Sequence, residues 1–260
     1  GQVLVNTADG KYSMVDLPNH FEYTIKPSLN SDPTEGVTTL DLVYIQRHIL
    51  NLEPITDPYK LIAADANASK SVSASDLVEI RKLIIGKSTQ FPKGLPSWVF
   101  IPKNGGIPNP AAPHDYKTEI KTGILNQDTS QLDFVAVKIG DVNDSAIPFQ
   151  NSDWSSRTVQ KQKFALYYSL ENDEDGSYLV FRSKLEGNIE GFQVFIDTYD
   201  EDFEIEDLQF EASMEYDYNI MDNKLSLLAY ASPVVTIAKD EILFKVKISG
   251  NDQLSGVRLS

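Results

Sequence analysis

Residues 65–76, DANASKSVSASD, carry an oxygen donor at every second position. Asp65, Asn67, Ser69, the Ser71 carbonyl, Ser73 and Asp76 stand at positions 1, 3, 5, 7, 9 and 12 of a loop. A hard cation such as Ca2+ takes about six to eight oxygens, and a loop of this length supplies them from those slots. The pattern also occurs earlier, in residues 30–41, NSDPTEGVTTLD, where Asn30, Asp32, Thr34, the Gly36 carbonyl, Thr38 and Asp41 fill the same places. Val37 and Val72 share position 8, and each loop runs into a Leu-rich stretch. Asp, Asn, Ser and Thr are also the residues preferred in turns and helix N-caps, so one such loop reads equally well as a turn. Two aligned copies are harder to explain that way, and together they predict two bound Ca2+ ions.

Each loop needs an element to hold it. In LDLVYIQRHILNL, Leu42, Ile45, Ile49 and Leu52 recur at helical spacing, with Val43 and Leu50 widening the stripe. In SDLVEIRKLIIG, Leu77, Ile80 and Ile84 do the same before Gly86 stops the helix. The two helices are expected to pack as a pair. The rest reads as β. Residues 1–28 look like a hairpin, with KYSMVDLP and HFEYTIKP alternating as half-buried strands do. Residues 91–148 are rich in Pro and Gly, with one convincing strand in DFVAVKIG. After a polar linker at 149–162, residues 163–260 alternate through FALYYSL, SYLVFRSKL, GFQVFIDTY, KLSLLAYAS and EILFKVKIS, the signature of an antiparallel sandwich. The expected class is therefore mainly β with a small α calcium-loop pair. Its expected domains are a partial β-unit at 1–28, a loop–helix domain with an insertion at 29–148, a linker, and a sandwich at 163–260.

Composition narrows the function. A net charge of −15 is unsuited to nucleic acid or to anionic membrane surfaces, where cationic side chains must neutralise phosphates. With 41% hydrophobic residues and 10% aromatics the chain can build real cores. It has no cysteine, hence no disulfide, thiolate metal site or Cys nucleophile. No apolar run reaches the ~18 residues of a membrane span. The start, GQVLVNTADGKYSMVDLP, has neither the basic nor the apolar region of a signal peptide, and both ends read as cropped from a longer chain. Catalytic patterns are missing. His20, His48 and His114 stand in separate contexts without a nucleophile elbow or phosphate loop. A glycosidase carboxylate pair cannot be singled out among 38 acidic residues. The acidic turn at 197–207 reads as a solvated loop, and Trp98 and Trp154 as packing residues.

Position 12 separates types of calcium loop. Sensor EF-hands carry Glu there, whereas both copies here carry Asp, and no entering helix is expected beyond the short stretch DPYKLIAA. With NSDPTEGVTTLDLVYIQRHIL, DPYKLIAADAN, SVSASDLVEIRKLIIG and DFVAVKIGDVNDSA, residues 29–146 resemble the type I dockerin, in the variant common in large cell-surface proteins of Bacteroidetes. Two departures stand out: Glu35 and Lys70 occupy position 6, where Gly is usual, and loop two has only two carboxylates. Fewer carboxylates imply weaker binding, toward the ~10⁻⁴–10⁻³ M of extracellular modules. DGKYSMVDLPNHFEYTIKP looks like the last two strands of a prealbumin-like unit of the Cna-B or carboxypeptidase-regulatory type, and residues 163–260 look like a cohesin-type sandwich. Asp144-Ser145-Ala146 resembles an O-glycosylation acceptor.

These resemblances imply a non-enzymatic, extracellular, calcium-stabilised structural or adhesion module of a larger surface or filament-forming protein. Its expected partners are further copies of itself, through strand exchange, or neighbouring surface modules, with no membrane insertion. Two alternatives are docking onto a separate cohesin through Gln46, Arg47, Arg81 and Lys82, and service as an accessory region of a secreted hydrolase.

Overall fold

The computed structural model describes residues 10–29, 31–127, 129–146, 165–198, 203–250 and 257–259. Asn30, Trp154, the linker at 149–162 and part of the acidic turn lie outside them. Among the described residues the protein is mainly β, with three short α-helices, two four-stranded antiparallel sheets and two two-stranded ones. Its contacts divide the chain into two compact units, one of Gly1–Val37, Ile55–Asp76 and Gln90–Val159, the other of Thr38–Pro54, Leu77–Thr89 and Gln160–Ser260.

The second unit holds the sandwich. Strands β5 (Leu166–Asp173), β6 (Gly176–Ser183), β8 (Phe203–Phe210) and β11 (Ile242–Gly250) form one sheet in the order β5-β6-β11-β8. Strands β7 (Gly187–Thr198), β9 (Glu215–Met221), β10 (Lys224–Ile237) and β12 (Val257–Leu259) form the other, ordered β12-β7-β10-β9. Alternation directs Leu179, Phe181, Val194, Ile196, Leu225, Leu227, Phe244 and Val246 into one shared core. Aromatic rings line it: Phe181 stacks on Phe244 at 4.4 Å between centroids with Tyr168 and Phe192 flanking, and Phe210 at its edge stacks on the exposed Tyr216 at 4.4 Å. Such rings contribute both area and oriented contacts.

β10 is also buried on its other face, because helices cover it. Helix α1 (Thr39–Ile49) lies against β7 and β10. Arg47 pairs with Glu190 at 2.6 Å, and Gln46 donates to Glu215 at 2.8 Å. Tyr230 is wholly buried there, its hydroxyl donating to Glu215. Helix α3 (Ala74–Ile84) sets the Arg81 guanidinium 5.6 Å from the Tyr230 ring centroid, and its exit is tied down by Asn219 to the Ile85 carbonyl and by Lys87 to Asp217. The apolar stripe of α1 is shorter than its sequence predicts. The helix ends at Ile49 because Asn51 turns left-handed (φ +56°), and Leu50 and Leu52 are left 52% and 64% exposed.

The first unit is built of small pieces. β1 (Glu22–Ile25) pairs with β3 (Ile120–Ile124), and β2 (Trp98–Pro102) with β4 (Phe134–Lys138), while helix α2 (Pro58–Ala64) packs on β4. Residues 11–18 form no strand. Asp16 takes a left-handed conformation (φ +57°), Pro18 lacks a ladder donor, and β1 finds its partner a hundred residues away instead of in a hairpin. α2 is the short stretch expected before loop two: Asp57 caps it by accepting from Tyr59 N–H, and its seven residues deliver the chain to Asp65.

Candidate functional site

Loop two lies wholly within the first unit, and its turn is wound around a carboxylate. Asp65, at the C-terminus of α2, is 7% exposed. Its Oδ1 accepts the Ser69 N–H at 2.8 Å and its Oδ2 the Lys70 N–H at 2.9 Å. To make that turn, Ala68 and Lys70 adopt φ of +50° and +69°, so Lys70 takes up the conformation for which glycine is usual at position 6. At the other end Asp76 is fully buried; its Oδ1 accepts the Asn67 N–H at 3.1 Å, and its Oδ2 accepts Ser73 N–H and Oγ. Burial, and then the nearby charge of Asp65, push the Asp76 carboxyl above its ordinary range against those hydrogen bonds.

The neutral slots gather around these two acids. Ser69 Oγ donates to the Ser71 carbonyl at 3.1 Å, joining slots 5 and 7. Asn67 Oδ1, slot 3, is wholly buried and has no hydrogen-bond partner. An orphaned acceptor of this kind is costly unless something fills it. Among the described residues no group of three or more Asp, Glu and His side chains gathers, so what loop two offers is a pair of carboxylates amid neutral oxygens. That donor set fits a hard cation such as Ca2+ better than a transition ion.

Loop one is built differently. Asp32 Oδ1 accepts both the N–H and the hydroxyl of Thr34, but the left-handed residue is Gly36, at position 7, and not Glu35. The Gly36 carbonyl accepts the Ser145 hydroxyl at 2.8 Å. Lys138, 4% exposed, donates to the Asp32 carbonyl at 2.7 Å and lies over the Trp98 ring. Thr38 and Asp41 belong to the second unit, where the Asp41 carboxylate caps α1 through Thr38 N–H and Oγ1. The loop's slots are thus divided between the units at Val37, and Asn30 lies outside the described residues.

Two features of the first unit escape the sequence reading. Residues 141–146, DVNDSA, repeat the first half of loop two: Asp141 Oδ1 accepts the Asn143 and Ser145 N–H groups, Oδ2 accepts that of Ala146, and Asp144 is left-handed as Ala68 is. The signal was present as Asp-x-Asn-x-Ser in both. The Ser145 hydroxyl of the glycosylation-like triplet is thereby engaged by Gly36. The second feature is His114, whose Nδ1 lies 3.3 Å from Asp65 Oδ2. A lone histidine in a Pro-rich stretch carried no sequence signal.

No protein-family model matches this chain, and no curated protein does. Among solved structures it is similar to a non-cellulosomal cohesin from the hyperthermophilic archaeon Archaeoglobus fulgidus, at 18% identity over 32% of this chain and 62% of that one, with a TM-score of 0.27. That likeness is too slight to argue from. Among the described residues no helix is long and apolar enough to cross a membrane.

Proposed function

We propose that this chain is an extracellular, calcium-stabilised structural module of a larger surface or filament-forming protein, without catalytic activity of its own. The observation that carries this reading is the buried, unpartnered Asn67 Oδ1 in a loop whose two acids, Asp65 and Asp76, are themselves buried. A cation bound by these oxygens offsets the repulsion between the carboxylates and satisfies the amide. Because the slots come together only in the folded loop, binding stabilises the fold by mass action. At about ten times the dissociation constant the gain is about 1.4 kcal/mol. An affinity in the range of extracellular modules makes external calcium the natural supply.

Docking onto a separate partner through the repeat helices is the weaker reading. Of the four residues expected to recognise such a partner, Gln46, Arg47 and Arg81 are engaged with Glu215, Glu190 and Tyr230 of the same unit, and Lys82 pairs with Glu79 on its own helix. They would have to be released first. This favours a helix pair used to cover the module's own sheet.

The test is thermal melting of the parent and of Asp76→Asn, in EDTA and in millimolar CaCl2. The parent is expected to melt higher with calcium and the variant to show no shift. A parent melting identically in both would overturn the proposal.

A further inference from the structure

Resting on the calcium reading of loop two, we propose that His114 is a positioning residue of that site, orienting the Asp65 carboxylate from a distant stretch of chain. The His114 side chain is 13% exposed. Its Nδ1 is wholly buried, has no hydrogen-bond partner, and lies 3.3 Å from Asp65 Oδ2. A buried ring nitrogen left unsatisfied marks a state in which one bond remains to be made. Asp65 Oδ2 accepts only the Lys70 N–H among the hydrogen bonds described above, and a carboxylate oxygen has room for a second donor.

The surroundings tie the same stretch to the same loop. Asp115 pairs with Lys70, the left-handed residue at position 6, at 2.5 Å across 45 residues of sequence. Tyr116 is close enough to Asp65 that, after burial, the aspartate's charge raises its phenol pKa. Lys93 donates to the Ala68 carbonyl at 3.0 Å. The Lys70–Asp115 pair is exposed and contributes little to stability, so its effect is to hold the stretch in place. His114 is the buried contact. Since the Ser69 and Lys70 N–H groups are both bonded to the Asp65 carboxylate, a residue that fixes its rotation fixes the spacing of slots 1 and 5 and the turn at position 6 between slots 5 and 7. Partners of this kind, which hold a ligating group without touching the ion, typically shift metal affinity about 10–100-fold.

The experiment is calorimetric titration of the full chain with CaCl2 at constant ionic strength, with melting in EDTA as a separate measure of folding. His114→Leu removes the donor, His114→Gln moves it to the place of Nε2, and His114→Asn keeps an N–H at the place of Nδ1. Leu and Gln are expected to weaken calcium binding ~10-fold or more while melting near the parent in EDTA, and Asn to stay within ~3-fold of the parent. Should the Leu variant fail to fold, the polar Gln–Asn pair makes the same comparison. Equal affinity in all three, or equal loss in all three, overturns the positioning role. A parent that binds no calcium overturns the reading of the loop itself.

Discussion

At the scale of single residues, loop two carries backbone strain at Ala68 and Lys70 and a buried carboxylate at Asp76. Lys70 holds φ +69°, a conformation that costs an L-residue roughly 1–2 kcal/mol and glycine almost nothing. Glycine also loses more freedom on folding, about 0.5–1 kcal/mol, so Lys70→Gly is expected to raise stability by up to about 1 kcal/mol. Chemical denaturation in EDTA checks it; a destabilised variant would show that the Asp115 pairing outweighs the strain. Asp76 sets a pH dependence. Burial, then the charge of Asp65, raise its folded pKa above the ordinary value, so the folded state binds the proton more tightly than the unfolded chain. In EDTA this group therefore favours folding below its unfolded value, and that contribution is lost as pH rises through the raised folded one. Melting of the parent relative to Asp76→Asn should accordingly improve on acidification toward about pH 4, where carboxylates titrate. A difference that does not change with pH would contradict the buried-charge account.

At the scale of elements, the segment 141–146 acts as a lid on the turn of loop one. A Cβ built on Gly36 would stand 2.4 Å from Ala146 Cβ and 2.7 Å from its Cα, and Gly36 has φ +76° besides. Gly36→Ala combines overpacking with a left-handed penalty, about 2–5 kcal/mol together. Ala146→Gly should restore part of the loss and no more, because the backbone contact remains; full rescue, or no loss at all in Gly36→Ala by thermal melting, would refute the contact. Much of this level was legible in sequence. The strands of the sandwich follow from period-two alternation, and the two repeat helices from Leu42, Ile45, Leu77 and Ile80, all buried. What failed did so for physical reasons. Helix α1 was read through Leu52 because periodicity does not register that Asn51 turns left-handed. β2 was hidden among prolines, and β1 was given the nearer partner because pairing across a hundred residues leaves no local trace. The slots of loop two were legible because a metal loop is a contiguous pattern. His114 was not, since only the fold brings it to Asp65.

At the scale of the whole molecule, the net charge of −15 raises a question that any calcium experiment must answer. An acidic chain repels itself, and any divalent cation collecting around it relieves that repulsion without a site. Salt does the same, since the Debye length is only ~8 Å at physiological ionic strength. The two effects separate by ion chemistry. A diffuse atmosphere responds to charge and concentration, so Mg2+ and Ca2+ count alike. Loop two offers side-chain and carbonyl oxygens from an irregular turn, which suits the longer and less regular coordination of Ca2+; Mg2+ demands near-octahedral geometry and gives up its waters reluctantly. In a background of about 150 mM NaCl and about 10 mM MgCl2, where screening is near saturation, roughly 2 mM CaCl2 should still raise the melting temperature of the parent and leave Asp76→Asn unmoved. A calcium shift that vanishes in this background, or that survives in Asp76→Asn, would locate the effect in the charge of the whole chain and not in the loop.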